Sequence, residues 1–317
     1  MTSARKEEHF VTLFDSHYLP QGLSLYKSLE DHGQPFKLWI VALDEPCAAA
    51  LEKIAPRFVQ IIRLPEIETD RLLKAKSDRS VAEYCWTLTP FLPSAVFNRQ
   101  PGLDRVTYVD ADLYFFDQPS KLLDEFTASG KHVLITDHAF APEHMAALQY
   151  GRFCVQFMTF RNTPAGLKVL QWWQDRCVEW CYFRLEDGKF GDQKYLDSWP
   201  DMFRDEVHVL SQTERTLAPW NVRHVGRMAG KVRPVFYHFH SLRVVSPNRA
   251  ILYSIYDIGR SNRWIYDAYV AALREVTSTM RKYSIPVIGR PMPREPWHVL
   301  RYLKRRLSGR LASARLE

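Results

Sequence analysis

At 317 residues, 46% of them hydrophobic and 25% charged, the chain has the composition of a globular protein long enough to bury a sizeable core. Its formal charge of +7 is concentrated at one end, with eight Lys/Arg against two Glu from Arg290 onward. This excludes a globally basic nucleic-acid binder and leaves one basic tail. No run is apolar for long enough to span a bilayer, and the polar N-terminus lacks the apolar core of a signal peptide. Five cysteines without a CxxC pair suit a reduced, cytoplasmic chain.

Residues 9–14 (HFVTLF) read as a first strand, Asp15-Ser16-His17-Tyr18 as a polar turn, and residues 19–29 as a helix with apolar residues at helical spacing. Residues 36–43 form a second strand, Pro46 opens a helix, and residues 58–64 form a third strand. This alternation predicts a parallel sheet. A charged, solvated helix is expected over 66–79, and a further helix from Glu83 through Trp86, Thr89 and Pro90 to about Phe97. Trp86 and Thr89 either line a cleft or pack in the core.

Val106, Tyr108 and Val109 mark a buried strand that runs into Asp110-Ala111-Asp112 and an aromatic turn, with a helix from Pro119-Ser120 through Phe126. Strands follow over 132–137 and 153–161, separated by a looser segment, 139–151, with the character of a lid. Pro164 opens a long helix to Trp180. Cys177 and Cys181 lie one turn apart there, as a metal pair or a buried face. Gly191-Asp192-Gln193 is a polar turn before a short helix, and residues 207–210 are a short strand. Period-two alternation over 232–240 puts Tyr237 and Phe239 on one face and His238 and His240 on the other. The expected organisation is one α/β domain over 1–250 and a helical extension over 251–317 that ends in a basic amphipathic tail.

Asp110 and Asp112 carry the most chemistry. On extended backbone, alternate residues share a face, so both carboxylates point the same way. Two like charges at the end of a buried strand need compensation, which a divalent cation such as Mg²⁺ or Mn²⁺ supplies while keeping positions open for water or phosphate oxygens. The tripeptide alone also fits a solvated turn or a helix cap. The strand before it and the helix after it favour a site.

With these pieces in order, the chain resembles the GT-A glycosyltransferases, particularly retaining enzymes like glycosyltransferase family 8 and their bacterial surface-polysaccharide (lipopolysaccharide and capsule) relatives. The resemblance spans roughly residues 9–245. It rests on Phe14-Asp15-Ser16-His17-Tyr18-Leu19, Tyr108-Val109-Asp110-Ala111-Asp112, Gly191-Asp192-Gln193, Trp220-Asn221 and His238-Phe239. It implies a Rossmann-like, mostly parallel sheet flanked by helices. It also implies a nucleotide-sugar donor, most often a UDP-sugar, with Asp15 and Tyr18 on the base or ribose. Asp110, Asp112 and His238 would hold Mn²⁺ or Mg²⁺, with His240 the alternative on the same face. Asp192 and Gln193 would lie against the donor sugar, although an Asp before a short helix is also an ordinary N-cap. Trp220 and Asn221 would stack on and hydrogen-bond a sugar, or simply pack a loop. The family motif continues after His-Phe with Gly and Lys-Pro-Trp, whereas here the chain runs His240-Ser241-Leu242-Arg243. Arg243 would then take the phosphate contact, and a related family fits better than family 8 proper.

The implied activity is metal-dependent transfer of a sugar from a nucleoside diphosphate to a glycan or lipid-linked glycan, with retention suggested by Gly191-Asp192-Gln193. Trp297, Leu300, Leu303, Leu307 and Leu311 recur at helical spacing among basic residues. That pattern suits a helix on an anionic membrane surface, placing a peripheral enzyme at the cytoplasmic leaflet, or a docked helix with a solvated basic face. A sugar-nucleotide pyrophosphorylase would carry a Gly-rich basic loop where DSHYLPQG stands, and an Asp-based phosphatase would place its Asp-x-Asp on the first strand. A non-catalytic sugar-nucleotide-binding or membrane scaffold on the same fold stays open, since fold does not fix activity.

Overall fold

Alternate residues of the first strand feed two separate cores: Phe10 and Phe14 point to one face of a sheet, Val11 and Leu13 to the other. Strands covered on both faces need this continuous apolar character. The computed structural model describes residues 6–33, 35–225, 233–253, 255–290, 302, 304–307 and 310–317. Strands β1 (Glu8–Phe14), β2 (Phe36–Ala42), β3 (Val59–Arg63) and β4 (Arg105–Val109) run parallel to one another. Helices α1 (Leu19–His32) and α2 (Glu45–Ile54) join the first three. Between β3 and β4 lie α3 (Asp70–Lys76), α4 (Val81–Leu88) and α5 (Leu92–Arg99). The single helix expected over 83–97 is thus two, parted by a 3₁₀ turn at Thr89–Phe91, where Pro90 and Pro93 each remove a backbone donor.

Beyond β4 come β5 (Leu113–Phe115), α6 (Ser120–Ser129), β6 (Val133–Asp137), β7 (Phe153–Arg161), α7 (Pro164–Glu179), α8 (Trp199–Met202) and β8 (Val207–Val209). The main sheet has the order β3-β2-β1-β4-β7-β6-β8, with β7 its antiparallel member. This is the mostly parallel α/β sheet expected. A small second sheet crosses the end of β4: β5 pairs antiparallel with β10 (Phe236–His238), which pairs parallel with β9 (Thr216–Leu217). His238 stands opposite Leu113, and Phe239 N donates to Asp112 O at 2.9 Å. That register brings a late histidine to the acidic turn.

The C-terminal part is more than helical. It contains the hairpin of β11 (Arg243–Ser246) and β12 (Arg249–Tyr253), the helix α9 (Arg263–Lys282), and β13 (Ala312–Arg315), which pairs with β12. Tyr269 of α9 stacks on Phe239 at 3.8 Å and meets Tyr114 edge-on at 5.4 Å, so this helix shares a core with β1 and β5. Most of the amphipathic helix expected over 296–311, including Trp297, Leu300 and Leu303, lies outside the described residues. Residues 304–307 are helical with Leu307 89% exposed, but Leu311 is buried and leads into a strand. No helix among the described residues is long and apolar enough to cross a membrane.

Candidate active site

In the order β3-β2-β1-β4, connectivity reverses between β1 and β4, and open α/β sheets bind ligands in the crevice outside the carboxyl ends at such a point. Two turns meet there, residues 15–18 after β1 and residues 110–112 after β4. The acidic pair thus lies in the turn just past the strand, between β4 and β5. The 113–110 backbone bond, Leu113 N to Asp110 O at 3.1 Å, closes that turn, and Asp110 N is held by Gln156 O at 3.0 Å.

Asp110, Asp112 and His238 converge. One ligand atom from each lies within 4.8 Å of the others, and His238 Nε2 is 3.1 Å from Asp112 Oδ1 and 3.6 Å from Asp110 Oδ2. Tyr108 donates its hydroxyl to Asp110 Oδ1 at 2.7 Å, which leaves Oδ2 for a cation. Two hard oxygens and an imidazole nitrogen fit Mn²⁺ or Mg²⁺. The electrostatics mark the same need. Burial pushes Asp110 up more than the charge of His238 pulls it down, and Asp112 adds to the rise. Burial also works against ionised Asp112, but the charge and hydrogen bond of His238 outweigh it and hold this carboxyl below its ordinary value. Burial alone would lower His238, yet its two carboxylate neighbours hold it well above the ordinary imidazole value.

The histidine is oriented from behind. Its Nδ1 lies 2.7 Å from Gln156 Oε1, an acceptor, so Nδ1–H donates there and Nε2 faces the carboxylates. Trp220 packs edge-on against His238 at 5.3 Å and His240 at 5.5 Å. Its indole donates to His138 O at 2.8 Å. His240 stands 5.7 Å from His238, beside it and on the same face, but it is His238 that reaches both carboxylates. Gln156→Leu keeps the side chain's bulk and removes the acceptor, so Mn²⁺ affinity measured by calorimetry is expected to fall about 10- to 100-fold without loss of fold.

Asp192 is buried close to this cluster. Burial, and then the charge of Asp110, push its carboxyl well above the ordinary range. Its carbonyl accepts from Trp173 Nε1 at 2.9 Å, and Gly191 before it adopts φ +52°. A Cβ on Gly191 would stand 3.4 Å from the Trp86 ring, so Trp86 walls this turn. The 3₁₀ helix Lys194–Ser198 is capped at Gln193 without a side-chain bond, so Asp192 is not its cap. Gln193 donates Nε2 to Tyr150 O at 3.0 Å and thereby ties the turn to the expected lid, a 3₁₀ run over Pro142–Tyr150. Trp86 also opens an aromatic shelf: Phe183, 70% exposed, and Phe190 lie 5.8 and 6.4 Å from it.

On the other side of the crevice, Asp15 Oδ1 accepts from the backbone of His17 and Tyr18, each at 3.1 Å. Ser16 gives its N–H and its hydroxyl to Asp44, which also caps α2 through Cys47 N at 2.8 Å. The Tyr18 phenol is pushed up to about 12 by burial, then by Asp112, while Arg290 and Arg243 pull it back; it therefore feels all three charges. Arg243 is exposed on β11. Asn221 is 1% exposed, its oxygen accepts from Ala218 N at 2.8 Å and its amide donates to His138 O at 3.0 Å. These bonds pack it into the loop that carries Trp220.

Sequence reasoning missed Gln156, Tyr108, His138 and Arg290. A glutamine inside the largely apolar FCVQFMTF was a readable signal for Gln156. Cys154 sits beside His138 and His238. Burial raises its thiol, but the two histidines outweigh that and bring it down to about 7. Cys177 and Cys181 are free and buried, a packed face with no metal cluster at them among the described residues.

No protein-family model matches the chain. It is 31% identical over 297 residues to the uncharacterized protein YfnF of Bacillus subtilis (strain 168), covering 89% of this chain and 95% of that protein. Among solved structures it is similar to galactosyltransferase LgtC in complex with donor and acceptor sugar analogs. The TM-score is 0.55 at 13% identity, covering 87% of this chain and 99% of that one. It is also similar to apo glycosyltransferase GlyE of Streptococcus pneumoniae TIGR4, with TM-score 0.53 at 14% identity, covering 90% of this chain and 66% of that one. A reversed-connectivity crevice, an acidic turn beside it and these likenesses lead to one assignment: the chain has the GT-A glycosyltransferase fold and belongs to the family of YfnF.

Proposed function

We propose that the protein is a metal-dependent glycosyltransferase that moves a sugar, with retention, from a nucleoside-diphosphate donor, a UDP-sugar first, to a glycan or lipid-linked glycan in surface-polysaccharide assembly. The convergence of Asp110, Asp112 and His238 at the β1/β4 crevice carries this reading. When bound, Mn²⁺ or Mg²⁺ supplies positive charge against the departing diphosphate. Asp110 Oδ2, Asp112 and His238 Nε2 would hold it, and Gln156 keeps the imidazole nitrogen turned to the site.

Asp15 and Tyr18 receive the nucleoside, Arg243 the phosphates. Arg243 has no carboxylate partner among the described residues, so its guanidinium is available to an anion. Charge-assisted bonds of this kind contribute about 1.5–3 kcal/mol. Arg243→Ala is accordingly expected to weaken nucleoside-diphosphate binding about tenfold or more, and nucleoside binding hardly at all. Asp192 serves the sugar's hydroxyls or its anomeric face, and Gln193 keeps its carbonyl oxygen for the same sugar after giving Nε2 to Tyr150. The acceptor ring lies on the shelf of Trp86, Phe183 and Phe190, which borders Gly191 and Asp192. The basic tail, with Leu307 exposed, is assigned to an anionic membrane surface on the cytoplasmic side.

A panel of nucleoside-diphosphate sugars incubated with protein and Mn²⁺, followed by release of free nucleoside diphosphate, tests the proposal. Slow hydrolysis of one donor is expected even without an acceptor. No release from any donor, by protein shown to bind nucleotide, would favour the scaffold instead.

A further inference from the structure

Arg290 is a charged group beside the donor crevice that the proposed chemistry does not use. Its backbone is fixed: Arg290 N donates to Val244 O at 2.9 Å. The preceding Gly289 lies so close to β11 that a Cβ would stand 2.5 Å from Ser246 N. From that anchor the side chain reaches across to the turn after β1. Its guanidinium pairs with Asp15 Oδ2 and lies over the Tyr18 ring, 5.3 Å from the centroid. Asp15 Oδ1 is already taken by the backbone of His17 and Tyr18. Oδ2 is therefore the oxygen this carboxylate has to offer a ligand, and Arg290 holds it, with His17 Nδ1 3.6 Å from the same atom.

Resting on the reading of Asp15 and Tyr18 as the nucleobase contacts, we propose that Arg290 occupies the base subsite of its own chain and must be displaced by an incoming donor. A guanidinium is flat, carries only donors and stacks on aromatic rings. On Tyr18 and Asp15 it reproduces what a planar base with an N–H group would do there. Its closeness to the ring leaves no room for a base between them. The backbone anchor confines the exchange to a swing of the Arg290 side chain, which is 42% exposed and so free to leave into water.

Because the ion pair is partly solvated, its removal releases only a modest competitor, and base binding is expected to tighten about three- to tenfold. The experiment compares wild type with Arg290→Ala and Arg290→Gln, using uridine, guanosine and thymidine by saturation-transfer NMR and their diphosphates with Mn²⁺ by calorimetry. Both variants should bind the preferred nucleoside and its diphosphate more tightly by the same factor, with affinity for Mn²⁺ alone unchanged. Weaker nucleoside binding would overturn the proposal and make Arg290 a donor ligand; unchanged affinity would reduce it to a structural tie. If wild type and variants bind no nucleoside or diphosphate while remaining folded, the nucleotide reading itself falls and takes this inference with it.

Discussion

Asp110→Asn combined with Asp112→Asn is expected to lower donor turnover by at least about 10³-fold while leaving the protein folded. The scale follows from removing the two carboxylates proposed to hold the charge that opposes a diphosphate leaving group. The single variants separate function from stability because the two carboxylates sit in opposite electrostatic states. Asp110 is pushed up by burial and by Asp112, so its ionised form is disfavoured in the folded protein. Asp110→Asn should therefore keep or raise the melting temperature. Asp112 is held down by His238, 3.1 Å away, and replacing it leaves a buried histidine without its nearer carboxylate. Asp112→Asn should lower the melting temperature. Both should lose turnover. Differential scanning fluorimetry beside a donor-hydrolysis assay reads the two effects independently, and equal stability changes in the two variants would refute this electrostatic account.

Asp192→Asn is expected to lower kcat by about 10²- to 10³-fold with little change in nucleotide affinity, because the loss falls on the sugar and not on the diphosphate. The carboxyl is buried and pushed well up by that burial and by Asp110, so an amide of the same shape suits its pocket. Stability should be kept or improved. Binding calorimetry with the nucleoside diphosphate, set against steady-state kinetics, checks the split. A parallel loss of affinity would place Asp192 among the nucleotide contacts, and full activity would remove it from the chemistry.

The sheet and the acidic centre were legible in the sequence for physical reasons that the structure makes plain. β1 and β7 are buried on both faces, and their apolar runs stand out against polar turns. Asp110 and Asp112 were readable because charge in a buried setting demands a partner, whereas His238 was named only through the resemblance of its His-Phe motif. What escaped depends on contacts between segments far apart in the chain. Gln156 matters only because β7 lies beside β4, and Arg290 only because the chain passes against β11. Asn221 follows a tryptophan in a motif that suggests a sugar contact, yet its amide is spent on backbone groups of Ala218 and His138. The same two residues could face in or out; nearby unsatisfied backbone decided it. β12 and β13 were not read because each is short and pairs with a segment whose register only the fold supplies.

A cation held by Asp110, Asp112 and His238 would make nucleoside-diphosphate binding depend on the metal. Thermal shifts with UDP, GDP, dTDP and CMP, each with and without Mn²⁺, address it on wild type and on the Asp110→Asn/Asp112→Asn protein. One diphosphate should stabilise wild type only when Mn²⁺ is present, and the double variant should show no such shift. A shift that is indifferent to Mn²⁺, or one that survives in the double variant, would place the nucleotide elsewhere or remove the metal from its recognition.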